Sequence, residues 1–284
     1  MVVAKSFQCL AHMTVNPLSA DPIKRLMVFG HPAHELALFG FLQRFRPQIV
    51  VITDGGGKER IRQSRTGLES IGLEATYLKF AENDFYGALI RRDISFFETV
   101  SNSLSLEIAA SQPDQIFCDA LEFYNPVHDI TLPLVLYAAI AAAGAKIFEV
   151  PLVYQTLARG EHYEIQRIPP ESARRPFRYH LTSQELLAKI HARDEIYLSL
   201  RDQAGPEFST ATAEHLATEE AVPAGDPFAW PHATGRELRY EWRARLLKQQ
   251  GLIDEIITRA DHFIPIVQGL LAHRAVPFEA LAKN

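Results

Sequence analysis

The sequence predicts an α/β fold, a mostly parallel sheet with helices on both faces, followed by an irregular, helix-rich C-terminal part. Two observations carry this prediction. Short apolar runs alternate with stretches of helical periodicity, and turn residues close the runs. Parallel neighbours need a long crossover, and the intervening helical stretches supply one.

The elements follow in order. Residues 1–24 have no clear period and contain Pro17 and Pro22, so they read as an N-terminal arm. Arg25–Gly30 (RLMVFG) is a buried strand. Leu36, Leu38, Phe39, Leu42 and Phe45 then form one helical face that stops before Pro47. Gln48–Thr53 (QIVVIT) is the second strand, closed by Asp54-Gly55-Gly56-Gly57. Lys58–Ile71 is a polar-faced helix, with Gly72 suited to its C-terminal cap. Ala75–Phe80 is the third strand, Ile90–Ala110 a long helix, and Gln115–Asp119 the fourth strand. Val127–Ala143 is a buried helix and Lys146–Val150 the fifth strand, which makes the whole Rossmann-like.

The last third is less regular. Tyr163–Ile168 reads as an edge strand and Ser183–Ser199 as a helix. Gln203–Gly235, rich in Ala, Thr, Pro and Gly, reads as a long surface loop. Arg236–Gln250 and Leu252–Ala272 are helices. The expected organisation is a metal-binding domain over 25–200 and a loop and helical extension over 201–284 packed on it. The segment Arg239–Arg243 and the helix around His262 fit either a lid over the sheet rim or a contact in a homo-oligomer.

Composition narrows the function. The chain has 284 residues, 47% hydrophobic and 22% charged, with a net charge of -5, which is ordinary for a globular enzyme with a small-molecule substrate. Its densest basic cluster, Arg174, Arg175 and Arg178, is too small for a nucleic-acid partner. Cys9 and Cys118 cannot make a disulfide framework, so a reducing cytoplasm is expected. The N-terminus lacks a signal-peptide core, and Ile130–Ala145 is too short to span a bilayer. The glycine run after the second strand fails the dinucleotide fingerprint at Arg60, and no G-x-S-x-G occurs.

The chemistry lies in two segments. In Gly30-His31-Pro32-Ala33-His34-Glu35, two histidines three residues apart stand at a helix start just past the first strand. Alone, such a pair reads equally well as two surface histidines. In Tyr124-Asn125-Pro126-Val127-His128-Asp129, a third histidine opens the helix after the fourth strand, on the same rim of a parallel sheet. His31, His34 and His128 together form a catalytic-type set for one Zn2+, with a fourth position left for water or substrate. Zinc brings the pKa of bound water to about 7.

At these residues the chain resembles the PIG-L/LmbE-like deacetylases, zinc enzymes of Rossmann-like fold that act on N-acetylglucosamine-containing substrates and related amides. His-Pro-Ala-His-Glu stands where that family has His-Pro-Asp-Asp-Glu, and Asn125-Pro126-Val127-His128 where it has His-x-Asp-His. Thr53-Asp54-Gly55 matches its Thr-x-Gly turn, and Arg60-Ile61-Arg62-Gln63 leading to Ile71-Gly72 matches its Arg-x-x-Glu and Leu-Gly. The likeness covers about residues 25–150. It implies His31 and His128 as metal ligands, with His34 replacing a ligating aspartate. Ala33 replaces the aspartate that serves as general base. Asn125 and Val127 replace a histidine and its aspartate partner, which help stabilise the oxyanion.

Two readings follow. In the first, the protein is a divergent hydrolase of amides such as an N-acylated sugar or glycoconjugate, with another carboxylate near the metal water. The candidates are Glu35, Asp54, Asp119, Glu122 and Asp129, of which Glu122 and Asp54 are preferred because each lies just past a strand end. Asp54 also reads as a turn residue, Asp129 as a first-turn helix acid, and either as an acid that orients a ligand histidine. Arg60 would bind substrate or a carboxylate, or is a solvated helix arginine. Asn125, Tyr124 and Asn83-Asp84-Phe85-Tyr86 would offer polar and aromatic surfaces to a sugar. In the second reading the protein is a non-deacetylating relative, a metal-containing carbohydrate-binding protein or an enzyme of altered chemistry.

Overall fold

The computed structural model describes residues 23–142, 144–155, 163–168, 174–203, 211–228 and 238–272. Nearly all of the N-terminal arm expected from sequence lies outside them. Five parallel strands form the frame: β1 (Arg25–Phe29), β2 (Gln48–Thr53), β3 (Thr76–Phe80), β4 (Gln115–Asp119) and β5 (Lys146–Val150). Their order in the sheet is β3-β2-β1-β4-β5. The chain leaves β1 toward one side and returns to β4 on the other, so a crevice opens past the carboxyl ends of β1 and β4.

β1 shows why its sequence is a continuous apolar run. Leu26 and Val28 enter the core on one face of the sheet, and Met27 and Phe29 the core on the other. A parallel strand covered on both faces has no polar side. Around the sheet lie α1 (Phe39–Phe45), α2 (Lys58–Ser70), α3 (Glu82–Arg91), α4 (Ile94–Ser111), α5 (Pro126–Ala138) and α6 (Ser183–His191). A 3-10 turn, His34–Leu38, leads into α1.

The single helix expected over Ile90–Ala110 belongs instead to two. Arg92 takes a left-handed conformation that ends α3, and the Asp93 carboxylate accepts the Phe96 N–H at 3.1 Å to cap α4. Apolar periodicity ran across this break because both helices press on one core. The stretch Tyr163–Ile168 does not edge the main sheet. Its first residues form β7 (Tyr163–Ile165), which pairs only with β6 (Val153–Gln155) in a separate two-stranded sheet.

The larger correction concerns the loop expected over Gln203–Gly235. It contains a buried strand, β9 (Thr218–Pro223), which pairs antiparallel with β5 and carries β8 (Phe177–His180) on its other edge. Its sequence, TEEAVP, hides the strand behind two glutamates, yet both are buried. Glu219 accepts the N–H groups of Gly40 and Phe41 at 2.9 and 2.8 Å, satisfying the open start of α1. Lys189 of α6 donates to Glu219 at 2.9 Å and to the Ala37 carbonyl at 3.0 Å. Glu220 accepts from Arg178 of β8 and from the Ile168 N–H. Each buried charge therefore has a partner. No described helix is long and apolar enough to cross a membrane.

Removing one member of a fully buried pair leaves the other uncompensated. Lys189→Met should cost about 3–5 kcal/mol in denaturant unfolding, and Lys189→Met with Glu219→Gln, which removes the lone charge and keeps an acceptor for the start of α1, substantially less.

Candidate metal centre

The three histidines converge because of how two strand ends are built. Gly30 follows β1, and its N–H donates to Asp119 Oδ2 at the end of β4, 2.7 Å away. A Cβ at Gly30 would lie 2.7 Å from Thr131 Oγ1 and 2.9 Å from Asp119 Oδ2, so only glycine allows this approach. Ala33 then adopts φ 80, a left-handed turn that brings the His31 and His34 rings to 4.9 Å between centroids. On the other side Asn125 caps α5, its carboxamide oxygen accepting the Val127 N–H at 2.8 Å. His128, in the first turn of that helix, packs 5.1 Å from His31 and 4.4 Å from His34.

All three imidazoles are buried, and one nitrogen of each lies within 4.8 Å of one of the others'. Every ring also has a carboxylate. His34 Nδ1 meets Asp119 Oδ2 at 2.7 Å, His31 Nε2 lies 3.1 Å from Glu82 Oε1, and His128 Nδ1 lies 3.7 Å from Glu122 Oε2. Carboxylates placed this way fix ring orientation and raise ligand basicity in metal sites. Burial, together with His31 and Arg60, pushes His34 well below the ordinary histidine range. Burial and the other two histidines do the same to His128. Both are thus neutral, the form that binds a metal.

The carboxylates respond differently. Burial raises Asp119 to about 7 and lifts Glu122 well above the usual range. Burial acts on Glu82 too, but hydrogen bonding and charge from His31, with Tyr86 and Arg60, hold it at about 2. Of the three carboxylates beside the imidazoles only Glu82 is held ionised, and a divalent ion at the histidines would draw Asp119 and Glu122 into the ionised form as well. His31 Nδ1 and His128 Nδ1 find no hydrogen-bond partner among the described residues. Donor set, burial and charge therefore fit a divalent metal.

The other sequence candidates fall into place around this centre. Glu122 backs His128, while its second oxygen accepts the N–H groups of Leu152 and Val153. Asp129 accepts the Glu122 and Phe123 N–H groups, both at 3.0 Å, and so shapes the loop before α5. Burial raises it to about 7. Asp54 accepts from the N–H of Gly56 and of Glu82, each at 3.0 Å. Glu35 turns away into the core, accepting from Ser64 and Tyr197. None of these four lines the cavity at the histidines, which holds about 340 Å³.

Arg60, Asn125 and Tyr124 do line it. Arg60 is buried and donates to the Pro32 carbonyl at 2.7 Å. Tyr124 stacks beside His128, 6.1 Å between ring centroids, with the Arg239 guanidinium 3.8 Å from its own ring. Two polar lining residues went unread in the sequence. Glu82 sits at the first position of α3, directly past β3, where the rule that placed the histidines at strand ends would have found it. Gln166 follows the short strand β7, and no motif marks it.

No protein-family model and no curated protein matches the chain. Solved structures do match it. The A40926 pseudoaglycone deacetylase Dbv21 aligns with a TM-score of 0.54 at 15% identity, over 74% of this chain and 100% of that one. A deacetylase of the teicoplanin biosynthesis pathway, in complex with bog, gives 0.52 at 11%, over 70% and 97%. A triple mutant of a deacetylase of that pathway, Orf2*T, gives 0.51 at 13%, again over 70% and 97%. The chain thus has the α/β fold of these deacetylases, as the order of its motifs implied.

If Asp119 holds His34 for a metal, Asp119→Asn should weaken zinc affinity about 10–100-fold while leaving the far-ultraviolet circular dichroism unchanged. Competition with a chromogenic chelator measures it.

Proposed function

We propose that this protein is a zinc-dependent amide hydrolase of the deacetylase type, with one Zn2+ held by His31, His34 and His128. Glu82 handles the proton in place of the missing acid at position 33. The observation that carries this reading is that Glu82 is the one carboxylate among the described residues lining the cavity with the three imidazoles. Zinc in such a site supplies a nucleophilic water and polarises the scissile carbonyl.

The chain's own residues do the rest. Glu82 lines the cavity 3.1 Å from His31 with its side chain 16% exposed, a position from which a carboxylate can accept a proton from water and return it to the leaving nitrogen. Asp54 holds the N–H of Glu82 and so fixes where α3 starts. Tyr86 donates to Glu82 at 3.0 Å, which steadies the carboxylate from the side. Arg60, anchored on Pro32, brings a fixed positive charge for the oxyanion or for a polar substituent of the substrate. The substrate class proposed is an N-acylated sugar or glycoconjugate, in keeping with the pseudoaglycone named for one structural neighbour. Asp129 and Glu35 keep structural roles in this scheme.

Ala33 favours a second reading, a metal-holding protein that binds a sugar without cleaving it. The two part on activity. Protein purified without chelators should carry about one zinc per chain by mass spectrometry, lost in His34→Ala, and should release acetate from N-acetylglucosamine. Glu82→Gln, assayed with zinc in excess to offset the weaker hold on His31, should still load zinc and lose about 10²–10⁴ in rate. Ala33→Asp, at a left-handed position that aspartate tolerates, should restore part of that loss. Zinc without acetate release, together with activity gained in Ala33→Asp alone, would establish the second reading.

A further inference from the structure

Gln166 stands apart from the catalytic scheme. It follows β7 at φ 53, with its N–H bound to the Leu152 carbonyl at 3.0 Å. Its side chain is 4% exposed and lines the metal cavity beside Leu152 and Val153. Oε1 is buried and meets no hydrogen-bond donor among the described residues. A buried carboxamide oxygen left without a donor destabilises the protein that carries it. Gln166 belongs to the cavity wall, and a turn about its soft terminal torsion would present Oε1 to a bound molecule that brings the donor.

The surroundings define that molecule. Leu152, Val153, Leu200 and Ala37 give the cavity an apolar wall, while the imidazoles, Arg60 and Glu82 give it a polar one. A secondary amide has both characters: an apolar acyl group, a carbonyl for the metal, and an N–H one atom away.

We propose that Gln166 determines specificity, accepting through Oε1 the N–H of a secondary amide whose acyl group lies on Leu152, Val153 and Leu200. This rests on the hydrolase reading above. An ester with the same acyl group lacks the donor and leaves Oε1 unpaired, so the site discriminates against it.

The test is Gln166→Met, similar in size and without the carboxamide, in zinc-loaded protein. Calorimetry with N-acetylglucosamine should give a Kd about tenfold weaker than wild type, the effect of one neutral hydrogen bond. KM for its deacetylation should rise likewise with kcat little changed. KM for an O-acetyl ester of the same sugar should not move. Thermal stability should stay level or rise, because the variant removes a buried unpaired acceptor. An unchanged Kd, equal losses for amide and ester, or a lowered Tm with unaltered binding would overturn the proposal. No binding by zinc-loaded wild type would overturn it too. Zinc content and acetate release judge the hydrolase reading separately, since neither depends on Gln166.

Discussion

One carboxylate, Asp119, sits where the sheet and the site meet. It ends β4, takes the N–H of Gly30 at the end of β1, and holds His34 Nδ1 with the same oxygen. Neighbouring parallel strands are thereby joined to the first histidine segment at a single buried point. The missing side chain of Gly30 makes the contact possible, since any Cβ there would overlap the carboxylate. Rim geometry follows from this: His31 and His34 rise from one strand, and His128 from the helix after the other.

The central sheet was legible in the sequence because its strands are written as short, mostly apolar runs between helical stretches, and QIVVIT and KIFEV coincide with β2 and β5. The histidine cluster was legible because a rule about strand ends turned sequence distance into spatial neighbourhood. What stayed hidden was whatever used charge in the interior. β9 reads as loop until Lys189 and Arg178 are seen opposite its glutamates. Roles of the acids were equally hidden, since a carboxylate that orients a ring, ties a turn or faces a cavity has the same letter in each case. Asp54 and Glu122 occupy the strand ends that made them attractive as bases, yet their oxygens are committed to backbone N–H groups and to His128.

The pairing of each imidazole with an acid sets this centre apart from three histidines that merely happen to be close. Bare buried imidazoles would repel a cation less than lysines do but would offer no charge to hold it. Glu82, Asp119 and Glu122 come from three different segments, past β3, at the end of β4 and in the loop beyond it. Such a distribution makes the centre a property of the folded sheet rather than of any one peptide.

The place of β9 bears on the order in which the molecule can form. The sheet runs β4-β5-β9-β8, so a strand made after residue 217 separates two made before residue 181. While the ribosome has produced only the first 200 residues, β5 has an open edge and Lys189 lacks its counter-charge. An uncovered edge of that kind pairs readily with other chains. Cooperative closure of this half of the sheet therefore waits on late synthesis, and nascent chains stalled near residue 200 would depend on chaperones to stay single.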